Sequence, residues 1–564
     1  MGQEGKLSKI EIIKRNSNYL RGTIVEALQD GTSHFSEENI QVLKFHGTYQ
    51  QDDRDLRRQL TKEGKERAYS MMIRARIPGG VLSADQYLQF DKLADDYGNG
   101  TMRITTRQTF QLHGILKANL KETIKGINEV LITTLGGCGD QVRNTVSCAA
   151  PHEGPFYDAV RQDLLKLVDA TSAKTNAYHE IWLDGEKLDL SDGTSPEDPL
   201  YGEAYLPRKF KIAFTYEGDN CCDVYSNDIA IIAHRDGDEV EGYTLAIGGG
   251  MGRTASDKHT HPFLAQAFCF VKPDELIETC RTVISIQRDF GNRENRKFAR
   301  MKYLVQERGI EWFRTEAEAR LGHALALPRE IEWKSAHDHL GRMSGANGQV
   351  HLGFFIENGR IHDTESMKLK SVLRDIMTTY QPGVRMTTQQ NLILTGLTEE
   401  MASEIEGKLR DAGVKLVEEQ TPVLVHSMAC PSMPTCGLGI AESERALPAI
   451  VRKFESALAE LGLRDEPISI RMTGCANGCA RPYIAEIGFV GRVIGKYDLF
   501  LGASAEGTRT NQLFREMVPA EELVSTVYPI LKAFREERLP AETFGDYCNR
   551  VGIEALQERF VPVS

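Results

Sequence analysis

The sequence predicts an internally duplicated α+β fold, and three observations carry that reading. Residues 101–114, TMRITTRQTFQLHG, and residues 383–396, GVRMTTQQNLILTG, agree at six of fourteen positions at a constant offset of 282. Upstream of each lies an apolar-to-turn segment, ARIPGGVL at 75–82 and FFIENGRI at 354–361, followed by a helix-like stretch. Downstream, each copy runs into a cysteine, in DQVRNTVSCAAP and in VLVHSMACPSMPTC. Strand, helix and strand twice over make two α+β half-domains.

At 564 residues the chain exceeds one core, and roughly 150 residues per domain implies about three or four. Residues 1–65 lie outside the repeat, and the charged run QQDDRDLRRQLTKEGKER at 50–67 is expected to be a solvated loop or arm. No stretch approaches the roughly 20 apolar residues of a membrane span. The opening residues, MGQEGKLSKIEIIKRNSNYLRG, lack the apolar centre of a secretion signal, so a cytoplasmic protein without membrane contact is expected. A net charge of -12 argues against nucleic acid as the main partner, because phosphate binding needs a basic face. Any anion site must then be local.

Eleven cysteines in so long a chain form no disulfide framework. Four of them group as Cys430 and Cys436 in SMACPSMPTC and as Cys475 and Cys479 in RMTGCANGCARPY. Pro431, Pro434 and Gly437 break helix around the first pair, while Gly474, Asn477 and Gly478 allow sharp turns that bring N–H groups toward sulfur. Structural zinc sites space their cysteines more tightly, whereas a four-cysteine iron–sulfur cluster tolerates wider spacing. The cluster is the favoured reading, with zinc and unligated thiols as its rivals. Cys138, Cys148, Cys221, Cys222, Cys269, Cys280 and Cys548 lie outside the pairs and are expected to be buried structural thiols.

Side chains alternate along strands, so residues 101–114 read as one strand place Arg103, Thr105, Arg107, Thr109, Gln111 and His113 on a single face. The same arithmetic pairs Arg74 with Arg76, Lys209 with Lys211, and Arg143 with Thr145. In the second copy Arg385, Gln389 and Thr395 replace Arg103, Arg107 and His113, so the first copy is the one specialised for an anion. Guanidinium donors suit carboxylates because they are planar and bidentate.

These residues resemble the siroheme sulfite and nitrite reductase family, most closely on its sulfite-reducing side. The resemblance rests on SNYLRGTI at 17–24, FHGTYQQDDRD at 45–55, RITTRQTFQLHG, YLPRKFK at 205–211, IGGGMG at 247–252, RKFARMKYLV at 296–305 and both cysteine pairs. It implies a pseudo-two-fold, three-domain fold with ferredoxin-like half-domains. The expected divisions are an N-terminal arm over 1–65, half-domains over 66–140 and 341–420, a siroheme- and substrate-binding domain over 141–340, and a cluster domain over 421–564.

The resemblance further implies siroheme and a [4Fe-4S] cluster held by Cys430, Cys436, Cys475 and Cys479, with the thiolate of Cys479 shared by both. Arg103, Thr105, Arg107, Gln111, His113 and Arg208 are then expected at the siroheme periphery, and Arg74, Arg143, Lys209 and Lys211 at the open iron position. The implied activity is six-electron reduction of sulfite to sulfide in assimilatory sulfur metabolism and cysteine biosynthesis. A siroheme nitrite reductase is the near alternative, and an iron–sulfur carrier without catalysis the distant one. The run IGGGMG does not fit G-x-G-x-x-G, and no P-loop or flavin motif is found, so electrons are expected from a separate donor. That donor is an NADPH-dependent flavoprotein subunit carrying FAD and FMN, or a ferredoxin.

Overall fold

The computed structural model describes residues 7–174, 181–183, 186–188 and 197–561. Four five-stranded sheets organise them, in two matched pairs. The first pair belongs to the repeated half-domains. One sheet runs Thr48–Asp52, Tyr69–Arg74, Phe110–Ile115, Met102–Ile104 and Arg360–Ile361; its mate runs Gly341–Ser344, Val350–Phe354, Leu392–Leu397, Gly383–Met386 and Val81–Leu82. The last strand of each comes from the other copy: Arg360 stands opposite Arg103, and Val81 opposite Arg385. Neither sheet is complete without both copies, which is why the duplication is legible as a pseudo-two-fold.

Each half-domain carries two helices, Ala84–Asp96 with Leu120–Glu129 and Leu369–Tyr380 with Glu399–Asp411. Helix Ala84–Asp96 starts at a capping box in which the Ser83 hydroxyl accepts from Gln86 N–H at 3.2 Å and Gln86 Oε1 accepts from Ser83 N–H at 3.0 Å. Its buried residues Ala84, Tyr87, Phe90, Asp91, Leu93 and Ala94 recur at helical spacing. It packs on the equivalent helix Leu369–Tyr380, where Lys370 lies 3.4 Å from the buried Asp91. Residues of both copies, from Phe35 to Ile132 and from Val350 to Leu416, form one apolar core. Truncating a fully buried member such as Leu373 to alanine costs about 2–5 kcal/mol.

The second pair of sheets is equally matched. Val146–Ser147, Ile212–Tyr216 and Ile229–Asp236 are parallel, then Glu239–Ile247 and Gln266–Val271 continue antiparallel. Ser427–Ala429, Ile470–Thr473, Ile487–Val493, Lys496–Leu501 and Gln512–Pro519 repeat that topology strand for strand. Each sheet has its own apolar core.

Two expectations change. The charged run is not loop: Thr48–Asp52 pairs with Tyr69–Arg74 as an edge strand, and Arg54–Lys62 is a helix capped by Asp53. Charge patterning reported the solvated helix face and missed the strand, whose ladder partner lies beyond the run. Residues 101–114 are a hairpin rather than one strand. Thr105 N–H donates to Thr109 O and Gln108 N–H to Thr105 O, both at 3.0 Å, with Gln108 left-handed at φ 50°. Among the described residues no helix is long and apolar enough to cross a membrane.

Candidate functional site

The hairpin brings the predicted cations into register. Gln111 stands opposite Arg74 on one side and Arg103 on the other, and Arg360 lies beyond Arg103. Four adjacent strands thus present one polar row. With its amide oriented to match its donors, Gln111 accepts from Arg74 Nε at 3.2 Å, and Arg74 also donates to Cys138 Sγ at 3.3 Å. His113 lies on the same face; its Nδ1 meets Gln51 Oε1 at 3.3 Å, while its buried Nε2 has no partner. Burial, reinforced by Arg360 and Arg103, pushes its pKa well down and keeps the ring neutral. Arg76 does not share the site with Arg74. Its guanidinium donates to Ser172 Oγ at 2.7 Å and Val168 O at 3.2 Å, closing the C-terminal end of helix Pro155–Ala170.

Thr105 and Arg107 belong to the hairpin turn. The Thr105 hydroxyl accepts from Arg107 N–H at 3.1 Å. The Arg107 side chain turns inward, donating to Asn227 Oδ1 at 2.5 Å, to Ile212 O at 3.0 Å and to Asn144 O. Arg103 ties the hairpin to the second sheet pair, donating to Glu444 Oε2 at 3.1 Å and Ala429 O at 2.8 Å, one residue before Cys430. Burial alone would raise the Glu444 pKa; Arg103 and Arg360 outweigh it and hold the carboxyl at about 2.

The four cysteines sit on two loops at the ends of adjacent parallel strands, after Ser427–Ala429 and Ile470–Thr473. Gly474 N–H points to Cys430 Sγ at 3.4 Å, and Asn477 Nδ2 to Cys475 Sγ at 3.4 Å. Burial and the neighbouring Cys479 push Cys430 and Cys436 upward and Cys475 to about 11. The thiols are therefore close enough to repel one another as thiolates, yet they are not packed around one ion. Three or more Cys, His, Asp or Glu ligand atoms come within 4.8 Å of one another in one place among the described residues, and that place is elsewhere in the fold. Tetrahedral zinc at ~2.3 Å from sulfur needs sulfurs about 3.8 Å apart. The four sulfurs are set wider than single-ion spacing, as ligands spread over the corners of a cluster would be.

Cys479, exposed, joins the two halves of the site. Its carbonyl accepts from Thr106 Oγ1 at 3.2 Å, and Arg481 Nη1 donates back to Thr106 O at 3.3 Å, clamping the hairpin turn to the cysteine loop. Lys209 and Lys211 lie within electrostatic range of Cys479. Burial, then Arg208, Arg143 and Arg300, push Lys209 down to about 7; burial and Lys209, Arg107 and Arg300 push Lys211 further. Arg143 is buried and spends two donors on Gly139 O, each at 3.2 Å. Arg208 lies 3.7 Å from Asp140, which it shares with Arg296 at 2.8 Å. The cations outnumber the anions here, and a neutral His113 nitrogen waits unpaired beside them. Such an excess of buried positive charge suits anionic ligands.

The glycine run serves packing. A Cβ on Gly249 would lie 2.1 Å from Tyr225 O, and one on Gly252 3.1 Å from Asn477 O, so only glycine lets this loop lie against the cysteine loop. A cavity of about 1210 Å³ is lined by residues including Arg15, His261, Phe290 and Tyr303 and by none of the predicted site residues. Sequence reasoning missed Glu444, Thr106 and Arg481, and left Arg300 and Lys302 unassigned within RKFARMKYLV. Arg300 pairs with buried Asp228 at 2.9 Å, and Lys302 donates to Gly252 O at 2.7 Å, so both brace the wall of the site.

Comparison with known proteins settles the family. The nitrite and sulphite reductase 4Fe-4S domain matches residues 166–325 and 423–561, and the nitrite/sulfite reductase ferredoxin-like half domain matches 63–130 and 342–412. The chain belongs to the nitrite and sulphite reductase family. Each of the family's two domain types occurs twice, as the matched sheets require. Among its relatives, the sulfite reductase [NADPH] hemoprotein beta-component of Staphylococcus haemolyticus is 44% identical over 98% of this chain and 96% of its own length. The protein of that name from Geobacillus kaustophilus is 43% identical with the same coverage. The solved structure of Mycobacterium tuberculosis NirA shares the nitrite and sulphite reductase fold with a TM-score of 0.79, at 24% identity and 98% coverage of both chains.

Proposed function

We propose that the chain reduces sulfite to sulfide at siroheme coupled to a [4Fe-4S] cluster, as the hemoprotein component of an assimilatory, NADPH-driven sulfite reductase. The observation that carries this reading is the position of Cys479, which lies on the cysteine loop, accepts a hydrogen bond from the hairpin turn through its carbonyl, and stands within electrostatic range of the two lysines. Cys430, Cys436, Cys475 and Cys479 would hold the cluster, and Cys479, the one nearest the hairpin turn, would be the ligand that also serves the siroheme. Arg208 and the donors of Thr105 and Gln111 would meet the macrocycle's carboxylates, and His113, whose Nε2 is an acceptor while Nδ1–H donates to Gln51, would lie at the periphery. Arg103 and Arg107 add positive charge while fixing the hairpin to Glu444 and Asn227.

The coupled cofactors supply electrons to a bound oxyanion. Every other requirement falls on side chains. Reducing sulfite to sulfide consumes six electrons and six protons and releases three waters, so the pocket must hold a dianion and deliver protons. Arg74 and Arg143 hold the anion, being charged at every working pH. Lys209, at about 7, is poised between its protonated and neutral forms at neutral pH, which suits a group that must give up a proton and recover it. Binding of the dianion raises both lysines toward the charged form, so substrate arrival loads the protons that its reduction uses. The fixed cations are preorganised for negative charge developing on oxygen as S–O bonds break.

No nucleotide fingerprint was found in the chain, and the relatives' name specifies NADPH, so a flavoprotein partner in the cytoplasm delivers the electrons. The test is activity by electron source. Reduced methyl viologen should drive sulfite reduction by the purified protein, NADPH alone should not, and NADPH oxidation by the pure chain would show a nucleotide site overlooked here. A siroheme absorption spectrum that is absent after cofactor reconstitution would overturn the reading altogether.

A further inference from the structure

The place where ligand atoms do converge to single-ion spacing is the pseudo-symmetric counterpart of the cluster site. Cys148 follows the strand Val146–Ser147 as Cys430 follows Ser427–Ala429, each the edge strand parallel to its neighbour. Cys221 and Cys479 each lie two residues before a left-handed residue, Asp223 at φ 48° and Arg481 at φ 52°. Each of those opens a short turn, Val224–Ser226 or Pro482–Ile484, into the next strand. Asp223 and Arg481 meet across the pseudo-dyad at 2.5 Å. Two of four cluster-type cysteines therefore persist in the first copy. The other two positions hold no cysteine there, and Asp219 and His339 come in instead.

The geometry points to a mononuclear zinc-type site formed by Cys148, Asp219, Cys221 and His339, independent of the proposed redox site. The four ligand atoms all lie within 4.8 Å of one another. Cys148 Sγ is 3.0 Å from Asp219 Oδ2 and 3.6 Å from His339 Nε2, which is 2.8 Å from Asp219 Oδ2. Tetrahedral zinc places such N, O and S ligands about 3.3–3.8 Å apart, so small side-chain shifts suffice. Two thiols, an imidazole and a carboxylate suit a borderline-soft divalent cation better than magnesium or calcium.

Surrounding groups support the ligands as a metal site requires. Cys221 N–H donates to Asp219 Oδ1 at 2.8 Å, and Ala150 N–H to Cys148 Sγ at 3.4 Å. Asn220 N–H donates to Ser335 O at 2.7 Å, which fixes the segment bearing His339 beside that bearing Asp219. A cavity of about 160 Å³ bordered by Cys148, His152 and Arg385 gives an entry path. In the metal-free arrangement Asp219 and Cys148 outweigh burial and hold His339 protonated, up to about 11, while Cys221 stays a thiol. A divalent cation displaces the imidazolium and thiol protons as it binds. The ion staples the segment leading into the second half-domain to the first copy's sheet.

The test is elemental analysis of the holoenzyme purified without chelators under argon, with iron and siroheme measured on the same sample. One zinc per chain is expected, falling at least tenfold in Cys148→Ser and in His339→Ala while iron, siroheme and sulfite turnover stay at the parent level. Protein recovered without zinc should take up one equivalent of added Co²⁺ with a thiolate-to-cobalt charge-transfer band that Asp219→Asn weakens. Failure to retain zinc together with failure to bind stoichiometric Co²⁺ or Zn²⁺ overturns the proposal. So does a Cys148–Cys221 disulfide in the anaerobic protein, or zinc that persists in both variants.

Discussion

Replacing Lys211 by asparagine separates the two substrates this family acts on. A unit positive charge ~4 Å from an anion, at an effective dielectric of about 20, contributes ~4 kcal/mol per unit of anion charge. That is about 8 kcal/mol toward the sulfite dianion and about 4 kcal/mol toward the nitrite monoanion. Burial, Lys209, Arg107 and Arg300 hold Lys211 well below the ordinary lysine pKa, so restoring its charge costs ~1.4 kcal/mol for each unit by which that pKa lies below the working pH. The same cost is set against a gain half as large with nitrite, so nitrite profits less from the charge. Lys211→Asn should therefore lower kcat/KM for sulfite at least about tenfold, or ~1.4 kcal/mol of transition-state stabilisation, with a much smaller loss for nitrite. Both are measured with reduced methyl viologen, and siroheme and iron are quantified in each preparation. Equal losses on the two substrates at full siroheme occupancy would refute charge matching and move the preference to pocket shape.

Lys209→Arg should raise the alkaline limb of the kcat/KM profile for sulfite. Wild type loses the Lys209 proton at about pH 7, below the ordinary lysine range, whereas arginine stays charged; an unmoved limb assigns it to another group. Cys479→Ser should abolish most turnover, because a serine oxygen is a poor bridge between soft metal centres, and wild-type activity in that variant would exclude the shared thiolate. Asp223→Asn leaves Arg471 and Arg481 buried without their anion and should cost about 3–5 kcal/mol, read as a lower thermal midpoint. The Asp223 pKa is depressed by those arginines against its burial, so its contribution is complete above the ordinary carboxylate pKa and is lost as pH falls through the folded value. An unchanged midpoint at neutral pH would contradict this.

What the sequence disclosed depended on how local each feature was. The repeat and the cysteine spacing are local, and the strand alternation carried Arg103, Gln111 and His113 correctly across a turn it had not detected. It did so because a hairpin pairing Arg103 with Gln111 keeps both on one face. Arg76 was misplaced because its strand ends at Arg74 and its partner Ser172 lies just past the end of a distant helix. Glu444, 341 residues from Arg103, and the Asp223–Arg481 pair, 258 residues apart, carry no pattern that links them along the chain. Cys148 and Cys221 were expected to be buried thiols, and both are buried. Their convergence with His339 became visible only when the second pair of sheets superposed one copy's cysteines on the other's.

The central claim is that one sulfur, that of Cys479, joins the cluster to the siroheme iron. Mössbauer spectroscopy of ⁵⁷Fe-enriched enzyme in a weak applied field tests it most directly, because a shared thiolate transmits the haem's unpaired spin to the cluster. All five irons should show magnetic hyperfine structure in the oxidised protein, and Cys479→Ser should leave the retained cluster irons diamagnetic. Cluster irons that are already diamagnetic beside a paramagnetic haem in the wild-type enzyme would contradict the account.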